Sequence, residues 1–309
     1  MFHRLLLTAL CLSQAPLSQA SRRERCATLW LEPYANLTSV SDYQAAWAGL
    51  AAASSGRCYV AAGSTYALKH NGTLGYADTA AGEGLDGVLF ERFGFPALRS
   101  LNITATALVY VTHTDGIAAM LANPQPFIDA LLEKAATHGL VGFDIDYEPQ
   151  GDDRPLLSEG RKVGGGTDFM SFLSSLAQQM AARGLTRLTI DVGGCPSFFA
   201  FDCARASGIA GLTFANTMDS FNVNGVAGMQ KLVSSDGAQL GAKWAPGFEP
   251  NNLGEATFRD VMAWLASPAA CATPTSCPIG IASWQVRESN TGPQPEWLWD
   301  AVNTFLDAP

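Results

Sequence analysis

Short runs of β-branched and aromatic residues alternate along this chain with longer segments of helical period, the pattern that parallel βα units impose on a sequence. The strand-like runs are ATLWLEPY from Ala27, CYVAAGS from Cys58, ALVYVTH from Ala107, GLVGFDIDYE from Gly139, RLTIDVGG from Arg187, GLTFANTMDSFNV from Gly211, QLGAKWAPGF from Gln239 and IGIASWQV from Ile279. Between them apolar side chains recur every three or four residues. Phe169, Phe172, Leu173, Leu176 and Met180 form one stripe, which Thr167 or Asp168 can cap and Gly184 can end. Phe127, Ile128, Leu131, Leu132 and Ala135 form a second that stops at Gly139, and Phe258, Val261, Met262 and Leu265 a third. The segment from Gly82 to Leu101 is the least regular of the helical ones.

Eight such units predict an α/β protein, a (β/α)8 TIM barrel in a single domain spanning residues 21–309. An open doubly wound sheet is the competing architecture, but it needs a Gly-rich phosphate loop after its first strand, and ATLWLEPYANLT has none. Residues 1–20 predict an N-terminal signal peptide. His3 and Arg4 give a basic start, Leu5 to Leu12 an apolar stretch, and Ser18-Gln19-Ala20 a small-residue cleavage site. That stretch is far shorter than the roughly 20 residues a spanning helix needs.

Composition sharpens the compartment. Of seven cysteines, Cys11 falls in the leader, which leaves Cys26, Cys58, Cys195, Cys203, Cys271 and Cys277. An even number in a secreted chain predicts disulfides, and pairing in sequential order is the simplest of fifteen connectivities. Zinc is the alternative, but neither CxxC nor paired-His spacing supports it. Sequons at Asn36, Asn71 and Asn102 fit the same secreted, extracellular setting. The formal charge of −9, with only 19 Lys and Arg, argues against nucleic acid and anionic membrane as partners, and a monomer is expected.

The chemistry concentrates in GLVGFDIDYEP, Gly139 to Pro149. On a barrel strand, Val141, Phe143, Ile145 and Tyr147 face the helices, while Gly142, Asp144, Asp146 and Glu148 point inward, Glu148 nearest the carboxyl-terminal mouth where barrel enzymes work. Three neighbouring carboxylates in a low-dielectric interior cannot all ionise cheaply, so a proton is retained among them and Glu148 can serve as an acid. Alternate residues of a strand stand about 6.6 Å apart on one side. Asp146 and Glu148 therefore stand beside each other rather than flanking a scissile bond, as two-carboxylate glycosidases require. Such a pair suits a mechanism in which Glu148 gives the proton and Asp146 supports a nucleophile carried by the substrate, such as a 2-acetamido oxygen.

The run from Val141 to Glu148 resembles the DxxDxDxE strand of glycoside hydrolase family 18, the chitinases and endo-β-N-acetylglucosaminidases, with Val141 in place of the first Asp. The resemblance implies a (β/α)8 barrel with this motif on its fourth strand. It makes Glu148 the general acid/base, lets Asp146 position the N-acetyl group and lets Asp144 tune Asp146. It also implies substrate-binding residues on the sixth run, where Asp219, Phe221 and Asn222 answer to the family's Met-x-Tyr-Asp or Gln-x-Tyr-Asn element. Phe221 lacks the family's tyrosine hydroxyl, and Asp219, of the same strand parity, could substitute for it. Trp284 on the eighth run answers to the family's sugar-stacking Trp.

Further residues on or near strand ends, Tyr59, Tyr110, His113, Asp191, Trp244 and Glu249, are candidates for the same mouth, with packing or exposure an equally good account of each. The long segment after Glu148, PQGDDRPLLSEGRKVGGGT, is a candidate lid. Its GGG lacks the Gly-Lys-Ser/Thr of a phosphate loop, and the triad lies on one strand whereas barrel metal sites draw on several, so neither cofactor nor metal is expected. The function implied is hydrolysis of β-1,4-linked N-acetylglucosamine in an oligo- or polysaccharide, as a retaining glycosidase. The alternative is a non-catalytic, lectin-like barrel that binds chitooligosaccharides.

Overall fold

The computed structural model describes residues 24–31, 37–77, 85–150, 168–195, 201–271, 277–284 and 295–308. Nine strands form one sheet: β1 Cys26–Leu31, β2 Cys58–Leu68, β3 Leu74–Tyr76, β4 Thr104–His113, β5 Gly142–Gln150, β6 Arg187–Val192, β7 Leu212–Thr217, β8 Trp244–Phe248 and β9 Gly280–Trp284. Eight of them pair in parallel with their neighbours, and β1 pairs with both β2 and β9, which closes the barrel. The ninth, β3, is a short antiparallel addition to the end of β2 that the run from Cys58 did not predict. The motif strand is β5, fourth of the eight barrel strands.

Alternation sorts the barrel strands, apart from register shifts where β2 meets β4, β4 meets β5 and β6 meets β7. Ala27, Leu29, Ala61, Ala107, Val109, Phe143, Ile145, Leu188, Ile190, Ala215 and Ile281 face outward and join the helices in the main hydrophobic core. The helix over Phe169–Ala182 begins where Asp168 accepts the Ser171 amide at 2.8 Å, and buries its apolar stripe on that layer. The helix over Gln125–His138 ends at Gly139, whose φ of 65° is the left-handed conformation glycine adopts without a Cβ penalty. The irregular Gly82–Leu101 segment contains helices Leu85–Leu89 and Phe95–Ser100 joined by a π-helical turn, Phe90–Gly94. There Phe90 fills the space left by two glycines: a Cβ at Gly63 or Gly94 would lie within 3 Å of its ring.

Two runs end differently from their sequence pattern. The sixth leaves the sheet at Thr217 and coils into a 3-10 turn, Met218–Ser220, so strand parity no longer governs Asp219, Phe221 and Asn222. The seventh enters the sheet only at Trp244, because 241–243 are still in a helical turn. The three disulfides join Cys26 to Cys58, Cys195 to Cys203 and Cys271 to Cys277, the expected sequential order. The first ties the opening residues of β1 and β2 at the amino-terminal end of the barrel. Among the described residues no helix is long and apolar enough to cross a membrane.

Candidate active site

The barrel interior is layered. At its amino-terminal end Cys26, Val60, Phe214 and Ala245 form a small apolar cluster, and Arg187 lies over the Phe214 ring at 5.1 Å. Its guanidinium donates to Cys26 Sγ and Thr28 Oγ1, each at 3.0 Å. Burial lowers its pKa to about 10, against the pull of Asp144, so it stays charged at neutral pH and is the interior's cation next to the carboxylates. Above it lies a polar layer built from alternate strand positions, with Asp144, Thr189 and Asn216 fully buried.

Asp144 is the best-served carboxylate of the cluster. Trp30 Nε1 donates to its Oδ2 at 2.6 Å, Thr189 Oγ1 makes a short bond to Oδ1, and Asn216 Nδ2 approaches Oδ1 at 3.4 Å. Burial raises its pKa, while Thr189, Trp30, the charge of Arg187 and a hydrogen bond with Asp191 work the other way. Asp146, one layer up, has no such supply. Its carboxyl is hydrogen-bonded to Glu148, and its Oδ1, buried, meets no donor among the described residues. Burial first, and the charges of Glu148 and Asp144 after it, push Asp146 well above the usual carboxylate range. Asp146 is therefore the group of this pair that holds on to a proton. Glu148 is half-buried, closest to the mouth.

The mouth is apolar where it meets this pair. Trp30, Ala62, Leu108 and Ala282 are buried there, with Tyr110, Met218, Phe221 and Trp284 packed against them. Trp30 connects the two layers. Its N–H holds Asp144, and its ring meets Trp284 at 5.7 Å and Phe221 edge-on at 5.9 Å. Gly247 makes room: a Cβ there would meet Trp30 Cη2 at 3.0 Å and Phe221 Cε1 at 3.2 Å.

The structure thus brings Asp144, Asp146, Glu148, Phe221 and Trp284 to one end of the barrel. Asp219 and Asn222 belong to the same turn at that end but make other pairings. Because the chain turns after Thr217, Asp219 pairs with Asp236, a carboxyl that accepts the Cys195 amide at 3.2 Å. Burial and that neighbour push Asp219 up to about 7. Asn222 is exposed and accepts from Asn252 at 3.4 Å. Of the remaining candidates, Tyr110 and Asp191 have inward parity; Tyr110 bonds the Ser64 hydroxyl at 3.0 Å and Asp191 joins the carboxylate cluster. Tyr59 faces the helices, donating to Asn303 at 2.7 Å, and Trp244 lies in the outer core, donating to Thr217 at 3.0 Å, so neither lines the mouth. His113 is exposed and stacks on His70 at 3.9 Å, and Glu249 accepts from Asn252 at 2.6 Å. Residues 151–167 of the candidate lid lie outside the described residues.

Trp30, Thr189, Asn216 and Met218 are the site residues that sequence reasoning missed. Parity from Cys26 or from Arg187 would have marked Trp30 and Thr189 as inward, but the partner of an inward side chain depends on which strands close around it. Among the described residues no group of three or more His, Cys, Asp or Glu is arranged to hold a metal ion.

No family model and no curated protein matches this sequence. Solved structures do match its fold. A Group IV chitinase from Ostrinia furnacalis is similar over 92% of this chain and 100% of that one, with a TM-score of 0.58 at 14% identity. A chitinase of glycoside hydrolase family 18 from Pseudoalteromonas aurantia is similar over 90% and 99%, with a TM-score of 0.56 at 15% identity. The active domain 2 of a Pyrococcus furiosus chitinase is similar over 92% and 96%, with a TM-score of 0.56 at 10% identity. The chain therefore has the (β/α)8 barrel fold of the family 18 chitinases, as its motif strand led one to expect.

Proposed function

We propose that this protein is a secreted retaining glycosidase that cleaves β-1,4-linked N-acetylglucosamine, in chitin, chitooligosaccharides or the chitobiose core of N-glycans, with Asp144, Asp146 and Glu148 as its catalytic group. The observation that carries this reading is the side-by-side pair: Asp146 next to Glu148, with a buried Oδ1 that meets no donor among the described residues. An acetamide N–H is a donor of the kind that oxygen lacks. When it binds, it favours the ionised form of Asp146, and the Asp146 proton passes to Glu148. Glu148 then protonates the glycosidic oxygen while the acetamide carbonyl oxygen attacks the anomeric carbon, the C–O bond to the leaving sugar breaks, and an oxazolinium forms. Water, deprotonated by Glu148, reopens that ring with net retention. The Trp284 face offers an apolar floor to sugar C–H groups. The Ostrinia chitinase, also solved in complex with allosamidin, supports a saccharide-binding site on this fold. Three disulfides and the leader-like residues 1–20 support secretion.

The test is turnover of a chitooligosaccharide carrying a chromogenic leaving group. Wild type should hydrolyse it and Glu148→Gln should lose at least about a hundred-fold in kcat. If both are inert yet bind chitooligosaccharide equally well, the protein is a lectin-like barrel, a reading favoured by Phe221, whose ring carries no hydroxyl for the acetamide. Hydrolysis of sugars without a 2-acetamido group would remove the substrate-assisted step.

A further inference from the structure

The family-like triad does not account for a fourth carboxylate in the barrel. Asp191 ends the inward face of β6, is 1% exposed, and is the register partner of Asp146 on β5. Across the other edge its partner is Asn216 on β7, whose Nδ2 donates to Asp191 Oδ1 at 2.7 Å. The same Nδ2 approaches Asp144 Oδ1 at 3.4 Å, so one amide stands between the two buried carboxyls and sets them side by side. Two buried carboxyls placed so close cannot both ionise cheaply, so one of them keeps its proton.

We propose that Asp191 is a positioning residue: it remains protonated, donates to Asp144, and thereby keeps Asp144 an anion whose acceptors are fully engaged, so that the proton on Asp146 stays directed to Glu148. The direction of donation follows from the surroundings of each group. Asp144 has Trp30, Thr189 and the charge of Arg187 to stabilise an anion. Asp191 has the single neutral amide of Asn216 and faces Asp144 and Asp146. β7 contributes no charged group to it, and Arg187, two turns of the pleat back on its own strand, is engaged with Cys26 and Thr28. Burial and the two aspartates accordingly hold Asp191 well above the usual range. Among the aspartates of the cluster, Asp191 and Asp146 thus carry the protons and Asp144 the charge. Without the donor from Asp191, the bare Asp144 oxygen would draw the Asp146 proton inward, away from the substrate side.

The proton assignment stands apart from the glycosidase reading; only its effect on turnover rests on it. Asp191→Asn is the informative variant, since its amide can accept from Asn216 and donate to Asp144 without titrating. Asp191→Ala removes the donor. Carbon-13 carboxyl NMR of aspartate-labelled protein counts protonated carboxyls at neutral pH. Asp191→Asn should show one fewer than wild type with the remaining signals unmoved. Retention of the wild-type number, or a shift of the Asp144 and Asp146 signals in that variant, overturns the assignment, and this readout needs no activity and no folded Ala variant. In turnover, Asp191→Asn should keep kcat within about three-fold, whereas Asp191→Ala should lose roughly ten- to a hundred-fold, as small misplacements of catalytic groups do. The acid limb of its pH profile should also move upward, because Asp144 without its donor holds a proton more tightly. Equal impairment of the two variants would mean that Asp191 acts as an acid in its own right and would end the proposal. Absence of hydrolysis in wild type with the predicted carboxyl count would overturn the glycosidase reading and leave this one standing.

Discussion

Two carboxylates on opposite sides of the same sheet, one half-buried and one buried, have opposite fates. Glu91, in the π-helical turn outside the barrel, accepts from Tyr66 Oη at 2.7 Å and Lys134 Nζ at 3.0 Å, with His138 Nε2 at 3.2 Å. Burial works to raise it, but these partners outweigh burial and hold it below the ordinary range. Asp146, inside, is surrounded by other carboxyls and keeps an oxygen without a donor among the described residues. One carboxylate is half-buried among its donors and serves the fold. The other is buried without them, a state that costs stability and leaves an acceptor for a ligand to satisfy.

That contrast can be broken most forcefully at Asp146. Asp146→Asn should fold normally and lose about a hundred- to a thousand-fold in kcat on an N-acetylglucosaminide, measured at saturating substrate. Loss of folding instead would place Asp146 with Glu91. Next in size is Trp30→Phe, which deletes the N–H to Asp144 but keeps a ring against Phe221 and Trp284; kcat should fall about ten-fold with KM nearly unchanged. Glu91→Gln should leave kinetics untouched and cost about 1 kcal/mol in urea unfolding, because Lys134 loses its anion and Tyr66 its charged acceptor.

The smallest effect is a difference in pH slope. Glu91 has a lowered pKa in the fold, so its contribution is present above its unfolded pKa and is lost as pH falls through the folded value. Asp191 has a raised one, so its contribution is full below the unfolded value near about 4 and is lost as pH rises toward the folded value. Glu91→Gln should therefore flatten the acid side of a Tm profile, and Asp191→Asn should flatten the alkaline side, each by about 2 °C or more. The same slope change in both variants would erase the distinction between the two regions.

Much of this protein is legible along the chain. Eight alternating runs define the barrel because parallel strands buried on both faces must be apolar and separated by helices. Phe143, Ile145 and Tyr147 against Asp144, Asp146 and Glu148 declare two faces because a strand has a period of two. Parity is a local property, and it failed at one place for a local reason: Thr217 ends β7, and beyond it the chain turns, so Asp219 lies against Asp236 while Phe221 packs on Trp30. Tyr59 and Trp244 carry outward parity as well, yet their chemistry suggested the mouth.

That three carboxylates stand in a row on one inward face follows from their spacing along the chain, since backbone geometry dictates it. What each of them meets depends on how the strands close. Closing β1 onto β9 brings Trp30 to Asp144, and pairing β5, β6 and β7 puts Asp191 and Asn216 beside the triad. Hydrogen-bond donors and counter-charges reach a buried carboxylate across strands far apart in the chain, so its protonation is a property of the closed barrel and of no single strand.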